Sequence, residues 1–260
     1  MSEPLITLKT LINYDIKISE ISRISELSGS DNMEERKAKI LSIIIQEHIK
    51  TGAPVGSGVL VDKYKLEISP ATVRNEMSEL EESGFIMQPY TSAGRVPTEK
   101  AYKYYIESLK DKKIEENLLK ELSKILKKKD ELALKQVAKK IAQASDNAII
   151  WAFHRRNLYY TGISNLLQQP EFAESNLIYN ISSIIDRLDE IVNEVFDNIA
   201  YEPEILIGAE NPFSNLCSSV LFRYKLENKI GMVAILGPMR MDYEKNMGLM
   251  RFIHEKLNLR

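Results

Sequence analysis

Between Met33 and Leu109 apolar residues recur at helical spacing in four separated runs. In the first, Met33 to Thr51, the positions Ile40, Leu41, Ile44, Ile45 and Ile49 predict a helix capped by Asp31 or Asn32 and ended by Gly52. A shorter run from Gly58 to Tyr64 places Val59, Leu60 and Tyr64 behind a Ser57 cap. Ser69-Pro70 then joins a cap residue to proline at the first helical position, where a missing N–H costs nothing. It predicts a third helix, Ala71 to Ser83, closed by Gly84. Phe85 to Pro89 and Arg95 to Pro97 read as extended arms around Tyr90-Thr91-Ser92-Ala93-Gly94, and Thr98 caps a fourth helix carrying Tyr102, Tyr105, Ile106 and Leu109.

Beyond this region the pattern changes. From Lys110 to Gln143 a Lys/Glu-rich stretch carries Ile114, Leu118, Leu122, Ile125, Leu132 and Val137 at roughly helical spacing, as a surface or connecting helix, or as a self-associating one. The second half alternates: a strand-like run in Ala148–Tyr160, a helix over Ile184–Ile199, strands at Ile205–Gly208, Ser218–Tyr224 and Gly231–Leu236, and a helix over Glu244–Leu257. The expected fold class is α+β. Residues 1–32 read as an extension ending in the turn-like Ser28-Gly29-Ser30-Asp31-Asn32.

Helix, helix, turn, helix, hairpin is the order of a winged helix-turn-helix, and its use depends on which face of the third helix is free. Val73, Met77 and Leu80 share one side and predict the packed face. Ala71, Asn75 and Ser78 lie opposite, flanked by Thr72 and Arg74, with Ser69 at the cap. These are short or bidentate groups of the kind that read base edges in a major groove, and they sit in the N-terminal turns that reach the bases. In the hairpin loop Thr91, Ser92 and Gly94 offer hydroxyls and unhindered N–H groups to phosphates, Arg95 is placed for a flanking minor groove, and Lys100 for the backbone. An amphipathic domain with a merely wet polar face, or a winged helix that binds protein, fits the same pattern.

Charge does not favour DNA. The 260 residues carry a net charge of −2, and Glu34 to Lys110 hold eleven acidic and eleven basic residues. A basic excess is the usual footprint of phosphate binding, so the placement of the cations must carry the argument. The acidic Glu79, Glu81 and Glu82 lie in the last turns of the third helix, which usually leave the groove. One cysteine, Cys217, excludes an internal disulfide framework, suits a reducing cytoplasm, and reads as a buried small residue. No apolar run reaches the about 20 residues of a membrane span, and the N-terminal stretch does not read as a signal peptide. A cytoplasmic location is expected.

His48, His154 and His254 show no metal-ligand spacing, and there is no phosphate-loop, dinucleotide or paired-carboxylate motif, so no catalytic residue, metal or cofactor is expected and an enzyme is disfavoured. Outside the helical region the distinctive motifs surround Asn211 and the run Gly237-Pro238-Met239-Arg240-Met241-Asp242-Tyr243. Arg240 and Asp242 suit a local ion pair or a cap on the last helix; the alternative is a small effector pocket lined by Asn211 and Arg240.

Several of these runs match one known pattern in order: KTGAPVGS (50–57), SPATVRNEM (69–77), LEESG (80–84) and QPYTSAGRVPT (88–98), then TGISNLLQQPEF (161–172), IGAENPFSNLCSSV (207–220) and GMVAILGPMRMDYEKNMGLMRFI (231–253). The chain resembles the heat-inducible transcription repressors, the HrcA family. The resemblance implies a winged helix followed by a GAF-like α/β domain interrupted by a dimerising insertion. It also implies a homodimer that represses chaperone operons by binding an inverted repeat on double-stranded DNA, with a chaperonin as modulator and release on heat stress. Here Ala148–Tyr160 passes almost directly to Gly162-Ile163-Ser164-Asn165, so that insertion is absent or a stub and the GAF-like domain is abbreviated. The expected division is an extension (1–32), a winged helix-turn-helix (33–109), a linker helix (110–145) and a GAF-like domain (146–260). A small-molecule-responsive regulator of other operons is the alternative function, and an interaction module that binds no DNA is a third.

Overall fold

The computed structural model describes residues 35–66, 68–109, 113–172 and 182–258, so the expected extension and its Asp31 or Asn32 cap lie outside the described residues. The chain mixes helix and strand and divides into two compact units, Met1–Ser108 and Leu109–Arg260.

In the first unit, helix α1 (Glu35–Thr51) touches α2 (Ser57–Tyr64), α3 (Pro70–Glu82), β2 (Val96–Pro97) and α4 (Glu99–Glu107). That central position explains why Ile40, Leu41, Ile43, Ile44 and Ile45 are all buried: α1 is apolar on more than one side because it is covered on more than one side. Strand β1 (Ile86–Met87) pairs antiparallel with β2, and Val55 bridges Arg95, so the loop before α2 runs beside the returning arm of the hairpin.

The caps of α3 and α4 follow the sequence: Ser69 Oγ accepts the Thr72 N–H at 3.1 Å with proline in the first turn, and Thr98 caps α4. The expected Ser57 cap is corrected. Helix α2 begins one residue earlier with Gly56 as its N-cap and no side-chain cap bond, because Gly56 already has extended backbone (φ −90°, ψ 157°).

The second unit is built on a five-stranded antiparallel sheet of order β4-β3-β7-β6-β5: β3 (Ala148–His154), β4 (Asn157–Thr161), β5 (Glu204–Ile207), β6 (Cys217–Leu226) and β7 (Lys229–Pro238). The strand-like run of the sequence is therefore a hairpin. One face carries Ala148, Ile150 and Ala152 of β3, Cys217 and Leu221 of β6, and Met232, Ala234 and Leu236 of β7. It packs with Leu166 of α7 (Ile163–Leu167) and with Leu188 and Val192 of α8 (Leu188–Val195).

Two further helices, α6 (Glu131–Ser145) and α9 (Tyr243–Asn258), pack on β3 and β6, and α5 (Glu116–Leu126) packs on both. Ser218 and Tyr243 share a hydrogen bond of 2.8 Å, and Phe222 meets the His254 ring. Helices on both faces explain why β3 is buried at six consecutive positions and reads as one apolar run. The Lys/Glu-rich stretch forms two helices rather than one. Lys129 takes a left-handed φ of 51° and Asp130 caps α6 by accepting the Ala133 N–H at 2.7 Å.

β4 meets α7 at Gly162, whose φ is +75° and whose added Cβ would lie 2.5 Å from the Asn147 carbonyl oxygen. Only glycine fits so tight a passage.

Candidate nucleic-acid interface

Helix α3 buries Val73, Met77 and Leu80, as its periodicity requires, and also Glu76. Glu76 is tolerated inside because Arg36 of α1 reaches it, Nε to Oε1 at 2.6 Å. The opposite side is exposed at Ala71, Arg74, Asn75 and Ser78. Thr72 is half-buried, with its hydroxyl 2.9 Å from that of Ser69, so these two side chains organise the start of the helix. Ser78 donates to the Arg74 carbonyl, and the Arg74 Nε donates to Ser57 Oγ at 3.3 Å.

The hairpin loop comes back against α2 and α3. Together they enclose a cleft of about 340 Å³, lined by Ser57, Arg74 and Ser78 on the helical side and Ser92, Gly94 and Arg95 on the loop side. Ser92 has a left-handed φ of 68°, and a Cβ on Gly94 would lie 2.5 Å from the Val55 carbonyl carbon. Gly94 is thus needed for close packing of two backbone segments, whereas the sequence suggested only an open N–H. Thr91 is exposed, and so is Tyr90, which the sequence reading did not select.

Two expected phosphate or groove contacts have partners inside the protein. The Arg95 backbone pairs with Val55 in both directions, and its guanidinium bonds Glu81 through Nε at 2.9 Å. The Lys100 ammonium lies over the Phe85 ring and donates to the Ser83 carbonyl at 3.1 Å, where it meets the negative end of α3. Each of these two cations therefore has a partner inside the protein.

The neutral charge count has a related local explanation. Glu76 is held by Arg36, Glu79 by Lys37 and Glu81 by Arg95, which leaves three of the four acidic residues of α3 matched away from its exposed stripe; the fourth, Glu82, is exposed in the last turn. Sequence spacing gave no sign of Glu81 or Ser57 as parts of this site, because their partners are 14 and 17 residues away.

Below α3, Glu47 is buried yet bonded to Lys63 at 2.6 Å and to the Tyr64 hydroxyl at 2.6 Å. Burial alone raises its pKa, but these hydrogen bonds, with the charges of Lys63 and Lys50, outweigh it and hold the carboxyl below its ordinary value. His48 Nδ1 lies 2.6 Å from the Tyr102 hydroxyl, so this histidine has a specific partner as well as its place at a helix end.

In the second unit the other candidates are placed structurally. The Arg240 Nη2 donates to Glu171 at 3.1 Å and to Gln169 at 2.7 Å. Asp242 accepts the Lys245 N–H at 3.0 Å at the start of α9. Asn211 Oδ1 accepts from the Ser219 hydroxyl at 3.0 Å, and its buried Nδ2 has no partner among the described residues. Burial pushes the Cys217 thiol up to about 12, with Glu171 adding to the rise and a Ser214 hydrogen bond opposing it, so a reactive thiolate is disfavoured. Among the described residues no group of side chains is arranged to hold a metal, and no helix is long and apolar enough to cross a membrane.

The family model described as the HrcA protein C terminal domain matches residues 98–247, more than half of the chain. The chain belongs to the HrcA family. It is a transcriptional repressor of heat-shock genes, the activity for which its curated relatives are named. The heat-inducible transcription repressor of Moorella thermoacetica is 28% identical, covering 87% of this chain and 97% of the relative. That alignment spans 335 residues, more than the chain contains, so the relative has internal stretches with no counterpart here. The repressor of Alkaliphilus metalliredigens is 56% identical over 77 residues, 30% of this chain and 22% of the relative. Among solved structures, a crystal structure of a hypothetical protein superposes with a TM-score of 0.66 at 18% identity, covering 86% of this chain and 96% of that one, which shows a shared fold.

Proposed function

We propose that the first unit is a winged helix-turn-helix that binds operator DNA, with α3 entering the major groove and the β1–β2 hairpin acting as the wing. The supporting observation is the exposed polar stripe of Ala71, Arg74, Asn75 and Ser78 opposite a buried Val73-Met77-Leu80 face, next to a loop bearing Thr91, Ser92 and Gly94. Arg74 and Asn75 suit bidentate contacts to guanine and adenine. Ser69 and Thr72 present the first turn, and the loop serves the phosphates.

In this reading residues 33–109 form the DNA-binding domain and the remainder an abbreviated GAF-like domain; the stretch 110–145, expected as a linker helix, instead supplies α5 and α6 to that second unit, packed on its sheet and last helix. The target is an inverted repeat upstream of chaperone operons, which calls for a two-fold symmetric homodimer. A chaperonin modulates the active form, heat stress releases it, and the protein works in the cytoplasm without a cofactor or enzymatic activity. The stretches missing relative to the Moorella protein include the inserted dimerisation segment, so the dimer contact comes from what remains.

The test is a gel shift on the chaperone-operon inverted repeat with Arg74→Ala and Asn75→Ala. Each is expected to lose about 1–3 kcal/mol of operator binding while melting as wild type does. Full specificity retained in both would refute the reading face.

A further inference from the structure

One carboxylate, that of Glu81 in the last turn of α3, holds both arms of the hairpin. Its Oε1 accepts the Gln88 N–H of the outgoing arm at 3.1 Å, and its Oε2 accepts the Arg95 Nε and Nη2 of the returning arm at 2.9 and 2.8 Å. The Gln88 side chain closes the loop by donating to the Ala93 carbonyl at 3.1 Å. The Arg95 side chain is only 21% exposed, and its backbone is fixed to Val55, so the guanidinium can change partner only by rotating its side chain.

Resting on the DNA-binding reading above, we propose that Glu81 is a specificity latch. It neutralises Arg95 in the free protein and releases it only to DNA that already fits α3. Two physical facts carry this. An arginine already in a two-point ion pair gains little from a stray phosphate, because it must first leave a partner of the same charge. A carboxylate at that position also repels any backbone that approaches without drawing Arg95 away. Non-operator DNA, which lacks the α3 contacts, therefore meets a wing with its cation silenced. Operator DNA is held long enough by α3 for Arg95 to change partner.

The experiment measures affinity for an operator duplex and for a scrambled duplex of equal composition as salt rises from about 50 to about 200 mM. The proteins are wild type, Glu81→Gln, Glu81→Asp, Arg95→Ala and the double variant Glu81→Gln/Arg95→Ala, each first checked by thermal melting. Glu81→Gln keeps the shape and removes the charge. It is expected to bind scrambled DNA several-fold more tightly, steepen the log–log salt slope there by about one unit, and lower the operator preference. Glu81→Asp is expected to keep the wild-type slope, and in the Arg95→Ala background Glu81→Gln is expected to tighten both duplexes alike by removing a bare carboxylate, leaving the operator preference unchanged.

Weaker binding of Glu81→Gln to both duplexes would make Glu81 a wing anchor only and overturn the latch. So would a drop in operator preference that persists without Arg95, or no change at all. Failure of wild type to prefer the operator would instead remove the DNA-binding reading, and the latch with it.

Discussion

In the first unit the polar side chains of α3 and the hairpin are placed by ion pairs and caps, whereas in the second unit the five-stranded sheet is placed by apolar burial on both faces. The first unit has a two-stranded hairpin with two residues per strand, and its wing is held by Glu81, by the Val55–Arg95 bridge and by a glycine contact. The second has ten-residue strands β6 and β7, with buried side chains such as Phe222 on β6 and Trp151 and Leu249 on neighbouring elements. The difference teaches where change is tolerated. A surface proposed to meet DNA keeps polar groups exposed and fixes them with directional contacts. A scaffold that needs only shape uses non-directional burial.

The largest effect that would test this contrast is in the scaffold. Trp151 is fully buried and its indole N–H donates to the Tyr224 hydroxyl at 2.8 Å. Trp151→Ala is expected to lose about 3–5 kcal/mol in urea unfolding followed by circular dichroism. A loss below about 1 kcal/mol would contradict the burial argument.

An intermediate effect belongs to the wing. Gly94→Ala forces a methyl group against the Val55 backbone and is expected to lose about 1–3 kcal/mol of stability. Operator binding should fall beyond what Arg95→Ala alone produces, because the whole loop shifts. Wild-type melting and binding in that variant would show that the close approach is not needed.

The smallest effect concerns Glu47. Its folded pKa is lowered, so its contribution is complete above the ordinary pKa it has in the unfolded chain and disappears as pH falls through the lower folded value. Glu47→Gln is expected to melt below wild type at pH 7 by about 1 kcal/mol, and the gap should close in acid. A gap that stays constant from pH 7 to pH 3 would show that shape, rather than charge, is what Glu47 supplies.

Much of the first unit was legible because its signals are local. Ser69-Pro70 and Thr98 act within a single helical turn, and the alternation of Val73, Met77 and Leu80 with Ala71, Asn75 and Ser78 separates a buried from an exposed side without any knowledge of neighbours. The Ser57 cap was misjudged for a reason just as local, since Gly56 starts the helix one residue early. Arg95 and Lys100 were legible as cations and not as paired cations, because Glu81 and the Ser83 carbonyl reach them across a fold that spacing does not encode.

By itself the sequence determined the helical order of the first unit, the exposed stripe of α3, and the ordered motifs that mark the family. These depend on contacts within a few residues or on the identity of the residues themselves. Only the tertiary structure decided that Glu76 is buried against Arg36, that one carboxylate ties both arms of the hairpin, and that the sheet runs β4-β3-β7-β6-β5. Those arrangements join residues 7 to tens of positions apart, and their energy exists only once the chain has closed the loops between them.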